Sequence, residues 1–300
     1  MSSLNRRRFL AITAAAAVVA PSGASASVAR WTGRALGGPV SMQLVGLSDA
    51  QAAPIFSAVE AELTRLEDIF SLYRDSSELS RLNRAGTLAA PSAEMLQVLS
   101  LCGALHGASK GQFDPTIQPL WTAIAEKAGA SDLTTAKAAI GWDKVAFDAQ
   151  RIELPKSGAL TLNGIAQGAV TDRIAALLKA QGLRDVLVDM GEIAALGQGP
   201  NGPWSIGVAM PDGTLVHRLT ASERAVATSV PTAMQIGMAQ GHILSPSGRA
   251  PVNTLVSVSA PSAVVADGLS TALCLMDQAD AAQAVAAFPG ARIEVLTPAA

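Results

Sequence analysis

Aromatic side chains are scarce in this sequence of 300 residues: they account for 4% of it, with a single tyrosine, Tyr73. Platforms that stack the bases of single-stranded nucleic acids need several aromatic side chains, so no such platform is expected. Charge is sparse as well, at 15% of residues, with a formal net charge of −2. A nucleic-acid surface needs a basic patch, which this balance does not favour. We therefore expect no nucleic-acid partner.

Cysteine is nearly absent, since only Cys102 and Cys274 are present. Two widely separated cysteines are too few for a cysteine metal site, and each lies in an apolar stretch typical of a helix. This pattern predicts buried free thiols. Hydrophobic residues, in contrast, make up 49% of the chain. That content, over a length that suits one large domain or two small ones, predicts a folded chain with a substantial core.

The N-terminus has the features of an export signal rather than of a folded element. Arginines at 6–8 precede an apolar run at 9–20, and Ala-Ser-Ala at 24–26 fits a cleavage site. The apolar run is shorter than the ~20 residues that span a bilayer. The Arg-Arg-x-Phe-Leu order resembles a twin-arginine signal, with an ordinary secretory signal or a membrane anchor as alternatives. We expect residues 1–26 to be removed, leaving a periplasmic chain, 27–300, without a membrane span.

The rest of the chain mixes helical and strand patterns without strict alternation. Ser48 resembles the cap of a long amphipathic helix, and short β-rich stretches dominate the second half. Mixed elements of this kind favour an α+β fold with a largely antiparallel sheet. The predicted helices are 49–70, 92–110, one closed by Gly182, 263–276 and 280–288; the predicted strands include 40–47, 159–162, 185–189, 204–210, 216–220, 224–229, 242–244, 254–260 and 291–296, with a hairpin over 145–155.

The stretch "ADGLSTAL" (266–273) places an anion and a hydroxyl on one face of an apolar helix. Asp267 and Thr271 are spaced i and i+4, so both oxygens point the same way. Magnesium prefers oxygen ligands and keeps several waters, so few protein ligands suffice. Alternatively, Asp267 caps the helix and Thr271 bonds back to the carbonyl four residues earlier. The stretch alone leaves both interpretations open.

Three other stretches contain residues suited to chemistry. In "TLNGIAQGAVTD", Gly164 and Gly168 flank the start of a helix, where backbone N–H groups can approach a phosphate. Neither the Walker nor the dinucleotide spacing is present, and close helix packing explains the glycines equally well. In "GQFDPTIQPLW", Asp114 either belongs to a site or caps a turn. In "GHILSPSGRAP", His242 is either functional or a satisfied structural histidine.

Taken together, the motifs resemble those of the ApbE-type FAD:protein FMN transferases. They occur in the order expected of that family and cover roughly 41–276, most of the chain after the signal. The forms "LNGIAQG" and "DMGE" are most similar to its NosX-like branch. The motifs are "GQFDPTIQPLW", "NGIAQGAVTD", "DMGEIAALG", "PWSIGVAMP", "AVATS", "HILSPSGRAP" and "ADGLSTAL".

The resemblance implies an ApbE-like fold over 27–300, in one or two lobes, with a cleft for FAD and a metal. It also implies a magnesium-dependent reaction that attaches FMN from FAD to a Thr or Ser of a partner flavoprotein and releases AMP. Asp267, the Thr271 hydroxyl and the Ala166 carbonyl match the family's metal site. His242 matches a base or orienting group for the attacking hydroxyl, and Tyr73 matches a flavin-stacking position. The remaining FAD-pocket positions are Asp114, Gly164, Gln167, Glu192 and Thr228.

The sequence departs from the family pattern at four positions. Ser245 stands where aspartate is usual, while Val230 and Met190 replace glycines. Gln167 replaces a common lysine, although glutamine is normal in the NosX-like branch. Loss of a carboxylate beside His242 puts the transfer rate in doubt. An FAD pyrophosphatase and a non-catalytic flavin-binding maturation protein are therefore alternatives, and the NosX likeness suggests a NosR-like membrane protein of nitrous oxide respiration as acceptor.

Overall fold

The computed structural model describes residues 27–238 and 240–299, so the predicted signal peptide at 1–26 lies outside the described residues. No helix in the described part of the chain has the length and apolar character needed to cross a membrane. The helices are α1 Asp49–Phe70, α2 Glu78–Ala85, α3 Ala93–Ala108, α4 Gln118–Ala125, α5 Ala130–Ala139, α6 Ala166–Ala180, α7 Ala263–Leu273 and α8 Gln278–Ala286.

In the described part of the chain the strands form one large sheet and three small ones, and every strand pair there is antiparallel. The large sheet has seven strands in the order β1-β2-β6-β7-β10-β13-β14. The predicted α+β class with a largely antiparallel sheet is confirmed. The strands are β1 Val28–Ala35, β2 Gly38–Val45, β3 Thr87–Ala89, β4 Ala146–Phe147, β5 Arg151–Glu153, β6 Val186–Asp189, β7 Ile193–Leu196, β8 Trp204–Ala209, β9 Leu215–Ala221, β10 Arg224–Ser229, β11 Gln235–Ile236, β12 Gln240–Gly241, β13 Asn253–Ala260 and β14 Arg292–Pro298.

Both faces of the large sheet are covered. On one face α7 packs against β10 and β13, and α6 packs against α7. On the other face the β8–β9 hairpin contributes Trp204 and Ile206, which pack against Leu187 and Ile193. A separate apolar cluster joins α4 and α5 to the short β11–β12 hairpin, through residues such as Leu120. The main cluster and this smaller one lie on either side of the cleft described below.

Helix α1 shows how local sequence sets an element. Ser48 accepts a hydrogen bond from the Gln51 N–H, and the Gln51 side chain accepts from the Ser48 N–H, which completes a capping box. Leu63, Leu66 and Phe70 lie on the buried face of the helix. The predicted helix from Asp49 to Phe70 is therefore confirmed, and the two cysteines are buried free thiols as expected.

Two predicted strands are wrong because tertiary partners take their backbone groups. In 159–162, the Leu160 N–H donates to the Asn83 side chain and the Leu160 carbonyl accepts from it, at 2.7 and 2.8 Å. In 242–244, the His242 N–H instead donates to the carbonyls of Pro231 and Met234. Strand β1 and helix α5 are not among the predicted elements: β1 alternates polar and apolar residues but directly follows the predicted signal peptide, whereas the helical periodicity of α5 is weak.

Gly168 is the point where α6 approaches α7 most closely. A Cβ at this position would lie 2.5 Å from the Ala263 carbonyl oxygen and 2.6 Å from the Val264 Cα, and backbone atoms cannot rotate away. We expect Gly168→Ala to lower the free energy of unfolding by about 1–3 kcal/mol, measured by urea denaturation.

Gly107→Ala is the matched control, because a Cβ at Gly107 in α3 meets nothing within 4 Å. This substitution is expected to stabilise the protein by about 0.4–1 kcal/mol through the lower chain entropy of alanine. Equal effects of the two substitutions would contradict the close contact between α6 and α7.

Candidate active site

The predicted site residues converge on one cleft beside the C-terminal end of β10. Its walls come from the loop before α4, the turn before α6, the β6–β7 turn, the loop after β10 and helix α7. Of the predicted set, only Ala166 and Tyr73 are not part of its lining. The predicted residues that line the cleft are Asp114, Gly164, Gln167, Glu192, Thr228, His242, Asp267 and Thr271.

Asp267 is inside helix α7, and it does not cap it. The helix begins at Ala263 after Ser262, whose side chain makes no capping bond. The cap comes instead from Asp172 on α6, whose carboxylate accepts from the Ala263 and Val264 N–H groups at 2.7 and 2.9 Å. The capping alternative for Asp267 is therefore wrong.

The carboxylate of Asp267 is anchored by one oxygen. Oδ2 accepts a 2.9 Å hydrogen bond from the Gly168 N–H at the start of α6, and no donor within the described residues reaches Oδ1. The side chain is 4% exposed and lies in the cleft lining. One oxygen is thus held by the fold, while the other is free to serve a ligand.

The turn before α6 contacts the same face of α7. A Cβ on Gly164 would lie 2.9 Å from Thr271 Oγ1, so this position tolerates only a glycine without rearrangement. Ala166 is the first residue of α6 and is buried. Thr271 does not bond back to the Asp267 carbonyl; its hydroxyl lies 3.5 Å from Ser229 Oγ. The turn before α6 therefore lies against α7, as a metal site that includes Ala166, Asp267 and Thr271 requires.

Burial shifts the acidic groups of the site towards their neutral forms. Burial raises the pKa of Asp267 to about 7, against the opposing effect of the Gly168 N–H. Burial also raises the pKa of Glu192 well above its usual range, and the negative charges of Asp267 and Asp189 add to that rise. The pKa of Asp189 rises to about 6, again through burial. The metal-free site therefore holds carboxylates at an electrostatic cost.

The charge of the cleft suits a cation. Its charged lining residues are Asp114, Glu192 and Asp267, and no lysine or arginine is among the described residues that line it. No group of three or more His, Cys, Asp or Glu suited to a metal occurs in the described ranges, 27–238 and 240–299. One carboxylate with hydroxyl and carbonyl oxygens is nevertheless a donor set that fits magnesium, which retains waters. The residues present therefore fit the implied metal.

His242 also lines the cleft, and the fold fixes its backbone. Its N–H donates to the Pro231 and Met234 carbonyls at 3.0 and 3.1 Å. Its Nδ1 is buried and has no hydrogen-bond partner within the described residues. Burial lowers the pKa of the imidazole, so the ring is neutral at pH 7 and able to accept a proton. This arrangement is not that of a satisfied structural histidine.

Ser245, at the usual aspartate position, forms no hydrogen bond with His242 within the described residues. It is buried, and its hydroxyl contacts Gln112 Oε1 at 3.2 Å and Ser247 Oγ at 2.8 Å. The two residues at usual glycine positions are both buried among apolar side chains, Met190 in the main core and Val230 beside Val208. Val230 also lines the cleft, where it narrows the space that a glycine would leave.

Asp114 and Tyr73 differ in their relation to the cleft. The Asp114 Oδ1 accepts from the Thr116 N–H at 2.9 Å and from its hydroxyl at 2.5 Å, so this residue caps a turn and lines the cleft as well. Tyr73 lies in the loop after α1 with 59% of its surface exposed, outside the cleft lining. Its role in flavin stacking stays a prediction.

Sequence reasoning missed Ser229 and Gln112, which both line the cleft. Ser229 Oγ lies 2.8 Å from Ser270 Oγ and 3.5 Å from Thr271 Oγ1. It therefore contacts the two hydroxyl groups that α7 presents to β10. Ser229 directly follows the predicted Thr228, and Gln112 lies two residues before Asp114. Their closeness to predicted residues was the available signal.

The raised pKa values predict a pH dependence for the stability of the metal-free protein. Asp267 has a folded pKa of about 7, above the unfolded value of about 3.9. Between those values the folded state binds more protons, so stability is lost as the pH rises towards 7. We measure the unfolding free energy of the wild type and of Asp267→Asn, both in EDTA. The wild-type value minus the variant value is expected to fall between pH 5 and pH 8. A constant difference across that range would contradict the buried, unneutralised carboxylate.

Comparison with known proteins places these features in a family. The sequence model of the ApbE family matches residues 36–296. The chain is 29% identical over 256 residues to an FAD:protein FMN transferase of Haemophilus influenzae, covering 73% of this chain and 72% of that protein. It superposes on the flavin transferase ApbE from Vibrio cholerae with a TM-score of 0.77 and 26% identity, over 87% of this chain and 91% of that one. The apo flavinyl transferase ApbE of Pseudomonas stutzeri gives a TM-score of 0.75 at 26% identity, with 88% of each chain covered.

Proposed function

The chain belongs to the ApbE family and is an FAD:protein FMN transferase, and from that premise we propose that it uses magnesium to attach FMN to a hydroxyl of a periplasmic partner flavoprotein. The FAD pyrophosphate is cleaved, a phosphoester forms between FMN and a Thr or Ser oxygen of the partner, and AMP leaves. The Asp267–Thr271 face, the turn before α6 and His242 would form the reacting centre.

The observation that supports magnesium most directly is the charge of the cleft. A pyrophosphate is anionic, yet the charged side chains among the described lining residues are all carboxylates. Two sets of negative charge cannot share a buried site without a cation between them. Burial raises the pKa of Asp267 to about 7 because it disfavours the ionised carboxylate. A divalent metal would favour the ionised form and so offset this effect.

The protein groups that would hold the metal are the Asp267 carboxylate, the Thr271 hydroxyl and the Ala166 carbonyl. Bound magnesium would neutralise the pyrophosphate and stabilise charge on the phosphorus oxygens. The Gly168 N–H orients the Asp267 carboxylate through Oδ2. Ser229 stands against Thr271 at 3.5 Å and limits the rotation of its hydroxyl.

Phosphoryl transfer needs an aligned nucleophile and neutralised charge more than covalent help from the protein. The neutral imidazole of His242 would take the proton of the attacking hydroxyl as its oxygen bonds to the FMN phosphorus. The bond between that phosphorus and the bridging oxygen breaks, and AMP leaves with the oxygen. Because serine replaces the usual aspartate at position 245, no carboxylate from that position orients the imidazole. The position of His242 therefore depends on the hydrogen bonds from its backbone N–H to the Pro231 and Met234 carbonyls.

The cellular setting is part of the same proposal. The Arg-Arg-x-Phe-Leu order near the N-terminus supports export by the twin-arginine route, and the NosX-like motif forms support a NosR-like membrane protein as acceptor. Cell fractionation tests the first point, since a protein that stays in the cytoplasm would exclude periplasmic transfer. A flavin label that is missing from the candidate acceptor in cells without this protein would support the second.

The activity is tested with purified protein lacking residues 1–26, FAD, magnesium and a candidate acceptor domain. In-gel flavin fluorescence on the acceptor, dependent on magnesium, is the result we expect. Free FMN and AMP in the absence of an acceptor would indicate a pyrophosphatase instead. A related transferase serves as the control that the acceptor can be labelled. If it labels the acceptor while this protein only binds FAD and leaves it intact, the protein is a non-catalytic flavin-binding protein.

A further inference from the structure

A second pocket lies away from the cleft, where β9, β10 and β14 come together. We call it the arginine pocket; its lining residues are Arg218, Leu219, Thr220, Arg224, Arg292 and Glu294. Arg224 is the first residue of β10, whereas Ser229, the last one, lines the cleft. Five strand steps of about 3.3 Å separate the two by roughly 17 Å. The arginine pocket is therefore a separate site.

The fold holds Arg224 in place with neutral oxygens rather than with a carboxylate. Its Nε donates to Ser259 Oγ at 2.9 Å, and its Nη2 donates to the carbonyls of Ser259 and Gly290 at 3.2 and 2.7 Å. These bonds leave Nη1 without an acceptor within the described residues. The guanidinium is thus oriented in advance and keeps its full positive charge.

The other two arginines of the pocket also lack an ion-pair partner within the described residues. Arg218 Nη1 donates to Ser205 Oγ at 3.2 Å, another neutral oxygen. Within the described ranges, none of the arginines in this pocket forms an ion pair, unlike Arg65 and Arg74 on the α1 surface. Glu294 also lines the pocket; its carboxylate accepts from the Ser259 hydroxyl and offsets one of the three positive charges.

Like charges in this pocket therefore repel one another. The pKa of Arg224 is lowered first by burial and then by the positive charge of Arg292, against the opposing effect of Glu294. The chain as a whole has a formal net charge of −2, so a cluster of positive side chains is a local feature of this pocket. Such a cluster attracts an anion, which would reduce the repulsion among the arginines. Guanidinium groups offer several N–H donors in a planar fork, which matches the oxygens of a phosphate.

We propose that the arginine pocket is an anion site that binds a phosphate group through Arg218, Arg224 and Arg292. Its three arginines come from three strands and offer more N–H donors than a carboxylate with two oxygens would use, which favours the larger oxygen set of a phosphate. The phosphate is either inorganic or the terminal group of a nucleotide such as the AMP that the transfer reaction releases. The site itself does not depend on how the cleft works.

Isothermal titration calorimetry with inorganic phosphate, in EDTA to suppress metal-dependent binding in the cleft, tests the proposal. We expect binding of the wild type in the millimolar range or tighter, and a loss of at least tenfold in the Arg218→Gln/Arg292→Gln double variant. Arg81→Gln removes an exposed arginine elsewhere and should bind phosphate as the wild type does. Unchanged FAD binding by the double variant verifies that its fold is intact.

Competition identifies the source of the phosphate. Displacement of phosphate by AMP with higher affinity would assign the pocket to a nucleotide, whereas phosphate binding that AMP does not disturb would assign it to the free ion. Equal affinity of the wild type and the double variant would overturn the site. Equal heats from chloride at matched ionic strength, or tighter binding of an acidic peptide than of phosphate, would do the same.

Discussion

Replacing Asp267 with asparagine is expected to abolish magnesium-dependent transfer while leaving the fold intact. Asparagine keeps an oxygen for the Gly168 N–H, which now holds Asp267 Oδ2 at 2.9 Å, but it removes the charge and weakens the remaining ligand. A metal ion of this kind stabilises the transition state by several kcal/mol, so we expect the labelling rate to fall by about 10³-fold. In-gel flavin fluorescence over a magnesium titration measures it.

The stability of the same variant should change in the opposite direction to its activity. Burial raises the pKa of Asp267 to about 7, so removing this carboxylate removes an unfavourable charge, and above pH 7 the metal-free variant should unfold at higher urea than the wild type. Magnesium should raise the melting temperature of the wild type by mass action and leave that of Asp267→Asn unchanged.

Asp172→Asn is the matched control, because Asp172 is a second carboxylate that touches α7. It caps the helix through the Ala263 and Val264 N–H groups and does not line the cleft. We expect this variant to lose about 1 kcal/mol of stability and to keep its response to magnesium. Full magnesium-dependent labelling by Asp267→Asn, or the same loss in both variants, would remove the metal assignment.

Asp172 and Asp267 illustrate which contacts could not be predicted from the sequence. An aspartate near the start of a helix is a common cap, and "ADGLSTAL" by itself allows that interpretation. In the structure the cap comes from a residue 91 positions earlier in the chain. Only the packing of α6 on α7, which Gly168 permits, brings that carboxylate to the helix N-terminus.

Elements with strong local signals could be predicted well. Helix α1 has a capping box and an apolar stripe, and both its predicted ends are confirmed. The stretch 159–162 has the alternation of a strand, yet Asn83 binds its backbone from a distant part of the chain. Local patterns contain no information about such partners, so predictions fail where a side chain from elsewhere replaces the neighbouring strand.

The candidate site could be assembled from ordered motifs, because six of the seven motifs include at least one residue that lines the cleft; "PWSIGVAMP" is the exception. The arginine pocket could not be found in that way. Arg218, Arg224 and Arg292 lie on strands that are separate in the chain, and each is an ordinary exposed or half-buried arginine in its own stretch. Arg224 and Arg292 share this position because β13 alone lies between β10 and β14 in the large sheet, whereas the packing of the β8–β9 hairpin against that sheet adds Arg218.

Replacing His242 with glutamine is expected to slow transfer by about 10²–10⁴-fold, the usual contribution of a general base. The neutral imidazole has a buried Nδ1 without a partner within the described residues, and its burial lowers its pKa. Glutamine fills similar space but cannot take the proton of an attacking hydroxyl. Single-turnover labelling with acceptor in excess gives the rate, and quenching of flavin fluorescence gives FAD affinity, which should change by less than about threefold.

The control variant is His217→Gln, since His217 lies on β9 outside the cleft lining; it should label acceptor at the wild-type rate. A role in proton transfer also predicts that the rate of the wild type falls below the lowered pKa of His242, whereas the residual rate of His242→Gln does not follow this fall. Weakened FAD binding with an unchanged rate at saturating FAD would instead make His242 a binding residue. The backbone bonds that fix His242 would then serve flavin recognition, and the hydroxyl of the acceptor would need another base.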